Sequence, residues 1–222
     1  VADMPLDKLQ PLAAKDYVVR LETAERELKP HNDLGTQKMN ADDVWNAGYN
    51  GTGVRIAVLD SGLDLTHADI PTPVAKKDYS NYLTPDDTIA NNVTGHGTHV
   101  TGRALGRGTR SGGVYRGSAP GADLIFLKIA SDATGCASPW AIVYAIKAAV
   151  DNYSADIITM SYGGWDIHHD GTDAEAQAVD YAVSRGAVVF ISAGNEANAN
   201  KHYSGTVGAN NTTDFNQINV SG

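Results

Sequence analysis

From about residue 51 the chain alternates short apolar, β-branched runs with longer stretches whose apolar residues recur at helical spacing. Residues 54–59 (VRIAVL), 123–129 (DLIFLKI), 157–160 (IITM) and 187–192 (AVVFIS) have the length and composition of buried strands. Between them, residues 98–105 and 140–151 predict helices, the second opened by Pro139 in its first turn, where a missing N–H costs nothing. Residues 173–185 predict a helix with Ala176, Val179, Ala182 and Val183 on one face and Gly186 as its stop. Strands alternating with helices imply βαβ units, hence an α/β fold: a parallel sheet with helices on both faces.

The ends of the chain follow other rules. Residues 1–29 are charged and uneven, with one strand-like stretch at 17–21, and read as a linker or the tail of a preceding segment. Pro30 and Gly35 punctuate the chain before residues 39–47 (MNADDVWNA), a predicted short helix capped by Asn40 and closed by Gly48. Residues 30–201 then form one domain. Residues 202–222, rich in Gly, Thr and Asn, suit the start of a β-rich insertion. A first residue that is not Met, and an end at Ser221-Gly222 straight after the strand-like 218–220, lead us to expect a piece of a longer protein.

Composition narrows the function classes. With 42% hydrophobic and 19% charged residues, the 222-residue chain has ordinary globular makeup. No apolar run approaches the roughly 18 residues of a membrane span. A formal charge of -9 argues against a nucleic-acid partner, which needs a basic face. The single cysteine, Cys136, excludes an internal disulfide framework.

In such sheets ligands bind beyond the carboxyl ends of the strands, and the conspicuous polar residues fall there: Asp60, Ser161 and Asn195. Asp60, in Val58-Leu59-Asp60-Ser61-Gly62, is a carboxylate at a buried strand end; alone it suits a helix cap, a metal ligand or a phosphate acceptor equally well. His96, between Gly95 and Gly97, stands at a helix start with its imidazole accessible. A metal reading with His99, three residues on, has only Asp60 as a further ligand and no zincin-like glutamate. Asn195, in Ser192-Ala193-Gly194-Asn195-Glu196, offers either an N–H donor to an oxyanion or a turn. Ser161, Tyr162 and Gly163 run from a strand end into glycines whose bare backbone suits an extended peptide.

Taken in order, "VLDSGLDLTHADI", "GHGTHVTG", "GSAPGADLIFLKI", "ITMSYGG" and "VVFISAGNE" resemble the signatures of the subtilases, the subtilisin-like serine proteases, over residues 40–197. The resemblance implies a three-layer α/β fold, incomplete at the carboxyl end, and an endopeptidase whose triad runs Asp, His, Ser. By motif, His96 is implied as general base and acid, Asp60 as the carboxylate that orients it, and Asn195 as the oxyanion donor. Ser161, Tyr162 and Gly163 match the wall of the primary specificity pocket, although many relatives carry Leu in place of Tyr162. Gly135, Cys136 and Ala137 fall where the family offers a second edge strand, so that protein or peptide substrates bind extended between two strands. Thr98 and His99 match structural positions. Residues 1–29 would then be a linker or propeptide tail, and the protein secreted or otherwise extracytoplasmic.

Two departures stand out. Asp69 matches a frequent calcium ligand, but residues 106–115 (GRGTRSGGVY), which should complete that site, hold two arginines and no carboxylate or amide. No cofactor is expected to be required, with calcium at most a structural ion. The other departure is the nucleophile. Gly-Thr pairs begin at Gly35, Gly51, Gly97, Gly108, Gly171 and Gly205, and none precedes the Ser of a Gly-Thr-Ser-x-Ala motif. The sequence therefore reads as a subtilase truncated before its catalytic serine and inactive alone. The alternative is a catalytically inactive, peptide-binding module on the same fold. Omitting the rest of the fold is expected to expose apolar surface and to weaken the isolated chain.

Overall fold

A computed structural model describes residues 32–90, 95–164 and 171–194. The expectations for residues 1–29 and 202–222 lie outside these, as does Asn195. In chain order the elements are α1 (Asn32–Lys38), α2 (Ala41–Asn46), β1 (Arg55–Asp60), β2 (Ala75–Asp78), α3 (His96–Leu105), β3 (Asp123–Lys128), α4 (Pro139–Asp151), β4 (Ile157–Met160), α5 (Ala174–Ser184) and β5 (Val188–Ile191). The strands pair in the order β2-β3-β1-β4-β5, every pair parallel.

Alternation along the strands splits the core in two. Ala57 and Leu59 of β1, with Ile125, Leu127 and Ile158, bury one face of the sheet against Ala141, Ala145 and Ile146 of α4 and Ala178 and Ala182 of α5. Ile56 and Val58, with Leu124 and Phe126, bury the other face with Leu105 of α3. Helices therefore cover both faces, and β1 and β3 are apolar at successive positions because each side of the pleat is dry. This is an α/β fold, a parallel sheet with helices on both faces.

The structure departs from expectation at several elements. β2 (AKKD) carried no strand signal, because an edge strand is held by backbone pairing and needs few apolar side chains. α1 runs through Gly35, where the sequence suggested only punctuation; a Cβ there would come 3.2 Å from the Arg103 guanidinium, so glycine permits that close approach. Asn40 precedes α2 in a left-handed conformation (φ 54°) and makes no side-chain cap bond. Asp173 does cap α5, its carboxylate accepting from the Ala176 N–H at 2.8 Å. Val183, assigned to the buried face of that helix, is 54% exposed, since Ala178 and Ala182 define the stripe that meets the core. The run read as a buried strand, β5, is also largely uncovered: Val188, Phe190 and Ile191 are exposed, because among the described residues β5 pairs only with β4.

Candidate active site

Asp60 is the last residue of β1 and is 0% exposed. Its main-chain oxygen accepts from Ile129 N–H at 2.9 Å, which ties it to the end of β3. Its Oδ1 accepts from the Ser61 N–H at 2.6 Å and meets His96 Nδ1 at 2.8 Å. An ionised carboxylate can only accept, so the contact assigns a proton to His96 Nδ1. Oδ2 is buried and has no partner among the described residues.

His96 opens α3, and the helix places it by close backbone approach. A Cβ on Gly97 would collide with the Gly62 carbonyl and stand 3.0 Å from Asp60 Oδ1, so only glycine lets the first turn lie on the turn after β1. Thr98 Oγ1 fastens the same junction by accepting from the Asp64 N–H at 2.9 Å. The His96 side chain remains 42% exposed and accessible to a reacting group. Asp64 itself is held below the usual carboxylate range, first by the Thr66 hydroxyl and then by the Thr66 N–H.

Two backbone segments flank the pair. Ser161, Tyr162 and Gly163 follow the carboxyl end of β4. Residues 131–137 fold back after β3: Gly135 N–H donates to Ser131 O at 2.8 Å and Ser131 N–H to Cys136 O at 3.0 Å, while Ala130 and Ala137 form an antiparallel bridge. Gly135 takes φ 69°, a left-handed turn that favours glycine. The Tyr162 hydroxyl donates to Gly135 O at 2.9 Å, joining the two segments. Its ring stands perpendicular to that of His96, with centroids 5.8 Å apart. Burial, reinforced by the Asp60 charge, pushes the Tyr162 phenol above its ordinary value, so the hydroxyl stays a donor. Cys136 is exposed, its thiol near Thr134 O.

Sequence reading missed Lys128. It ends β3 in register with Asp60 on one side and Asp78 on the other. Its ammonium is almost fully buried and donates to Asp78 at 2.8 Å and to Asp132 at 2.9 Å. Burial alone would pull this ammonium down; the bonds to the two carboxylates prevail and hold it above the ordinary lysine value. The only signal was a lysine among the apolar residues 124–129.

Asp69 does not reach this site. Its carboxylate accepts the Arg110 N–H at 2.9 Å and its main-chain oxygen the Arg107 N–H at 2.8 Å. The loop that would complete a calcium shell instead gives Asp69 two backbone donors and contributes no carboxylate, a donor set that does not suit the ion. Among the described residues no group of three His, Cys, Asp or Glu could hold a metal, which leaves His99 outside any such cluster.

Residues 51–221 match the subtilase family. The chain is 30% identical over 168 residues to the major intracellular serine protease of Bacillus subtilis (strain 168), covering 75% of this chain and 50% of that protein. It is 28% identical over 180 residues to the minor extracellular protease Vpr of the same organism, covering 78% of this chain and 21% of the relative. Among solved structures, sphericase superposes with a TM-score of 0.57 at 35% identity, covering 70% of this chain and 49% of that one. The chain belongs to the subtilase family and spans half or less of the length of these relatives. Among the described residues no helix is long and apolar enough to cross a membrane.

Proposed function

We propose that this chain supplies the base, its orienting carboxylate and the substrate-binding walls of a serine endopeptidase whose nucleophilic serine lies outside the 222 residues. The observation that carries this reading is the 2.8 Å contact between His96 Nδ1 and Asp60, with the carboxylate buried and the imidazole accessible. With Nδ1–H directed at Asp60, the His96 Nε2 takes the serine proton as its oxygen attacks the peptide carbonyl, then returns it to the leaving amine. Asp60 fixes the tautomer and stabilises the imidazolium. Asn195 is the donor to the oxyanion. Ser161–Gly163 and Gly135–Ala137 flank a peptide that binds as an extended strand, which favours unfolded or loop segments of proteins. We place the action of the complete protein outside the cytoplasm, as for its extracellular relative; cell fractionation separates this from the intracellular case.

The test is to express the chain together with the coding sequence downstream of Gly222 and to treat the product with a fluorophosphonate. One covalent label that disappears in His96→Ala is expected, and the 222-residue chain should take none. Folded product that takes no label overturns the endopeptidase reading and favours a peptide-binding module.

A further inference from the structure

We propose that Tyr162 is a positioning residue that performs two separable tasks: its hydroxyl locks the two walls of the cleft together before any peptide arrives, and its ring steers the His96 imidazole toward Asp60. The proposal rests on the reading of these walls as the substrate cleft. Tyr162 touches the facing wall at Gly135, the Ser61 side chain next to Asp60, and the His96 ring. Its hydroxyl bonds Gly135 O at 2.9 Å, although the residues are 27 apart in sequence. Its ring stands edge to face with His96, at 90° and 5.8 Å.

The hydroxyl matters because the loop is otherwise held mostly by itself. Residues 131–136 are closed by the Gly135–Ser131 and Ser131–Cys136 backbone bonds, and Ala137 adds one bridge to Ala130. Lys128 anchors the near end of the loop through Asp132. The far end, at the left-handed Gly135, has the phenol of Tyr162 as its side-chain anchor. Without it, the wall keeps its internal turn but loses its fixed distance from residues 161–163. A peptide strand would then have to order that wall as it binds, at a cost in affinity.

The ring matters for a different reason. An imidazole with 42% exposure has room to turn about its side-chain bonds, and one hydrogen bond restrains it weakly. Perpendicular packing of the Tyr162 ring limits that rotation without taking up either ring nitrogen. Leucine at this position would provide bulk but no hydroxyl and no ring plane.

The two tasks separate in two variants of the 222-residue chain, each labelled with 15N. Tyr162→Phe removes only the hydroxyl: amide exchange at Gly135 and Ser131 should quicken about three- to tenfold, the loss of one net hydrogen bond, while the His96 ring shifts still report an Nδ1-protonated imidazole. In Tyr162→Leu the loop should loosen equally, and the His96 ring shifts should move toward the Nε2-protonated form that a free histidine favours. Amide exchange in β1 and β3 serves as the folding control for both variants. Unchanged exchange at Gly135 and Ser131 in Tyr162→Phe overturns the locking role; unchanged ring shifts in Tyr162→Leu overturn the steering role. Neither readout needs a nucleophile, so a failed fluorophosphonate experiment leaves them standing, and their failure leaves the Asp60–His96 reading intact.

Discussion

Lys128 Nζ lies 2.8 Å from Asp78 Oδ2, and both residues are buried at the carboxyl end of the sheet. Asp132, the second partner of the ammonium, is far more open to water, so its bond is worth only a fraction of a kcal/mol to about 1 kcal/mol. The pair with Asp78 decides the energetics. Removing one member of a buried ion pair strands the other, which costs about 3–5 kcal/mol. Lys128→Met should therefore lower unfolding stability by about 3 kcal/mol in urea, and adding Asp78→Asn should recover part of that loss.

The same pair gives an alkaline signature. The folded ammonium is held above the ordinary value of 10.5, so the chain is stabilised below that pH and loses the contribution as pH rises through the folded value. Tyr79 acts in the same direction: burial, then its bond to Tyr153, raises its phenol, and unfolding releases that proton above about pH 10. Both wild type and Lys128→Met should weaken above pH 10 because they share Tyr79. The gap between them should also narrow, and urea midpoints from about pH 8 to 11.5 test it. A gap that stays constant across that range contradicts the assignment.

Gly97→Ala sets two effects against each other. Alanine favours a helix by about 1 kcal/mol over glycine. The added Cβ meets the Gly62 carbonyl, which is backbone and has little room to move, and overpacking of this kind costs about 1–3 kcal/mol. The clash should win. Net destabilisation is expected, together with loss of the His96–Asp60 bond in the imidazole 15N shifts. A variant as stable as wild type would show that α3 can slide on the turn after β1.

Asp69 is expected to stabilise its loop through its own backbone bonds rather than through an ion. Asp69→Ala should lower stability by about 1 kcal/mol, the value of one net hydrogen bond to the Arg110 N–H. The melting temperature of the wild-type chain should not change between millimolar calcium and excess chelator. A rise of several degrees with calcium would mean that the ion binds the folded state, by mass action.

Phe190, 58% exposed on β5, should promote self-association without adding much to the fold. Phe190→Lys is expected to reduce light scattering at high concentration and to leave the urea midpoint nearly unchanged. A large loss of stability would show that this side chain is covered in solution.

Several parts of this architecture were legible in the residues themselves. β1, β3 and β4 announce themselves because a strand covered on both faces must be apolar at consecutive positions. β2 does not, since backbone pairing at an edge imposes little on Lys76 and Lys77. The exposure of Phe190 was misread because composition reports a preference for burial, whereas burial needs a neighbour. Spacing alone never joined Asp60 to His96, 36 residues apart; the family signatures did. The Lys128 pair and the Tyr162–Gly135 bond stayed hidden because each is created by register between segments distant in sequence.

The all-parallel sheet also fixes when the site can exist. Each strand pairing is bridged by a long crossover, and contacts such as Arg55 N–H to Asp156 close 101 residues at once. Loop closure on that scale must precede the contacts that reward it, and it slows folding. Asp60, Lys128 and Ser161 have no common address until β1, β3 and β4 have docked. In a refolding time course, protection of the His96 imidazole proton should therefore follow the β1–β3 ladder and never lead it.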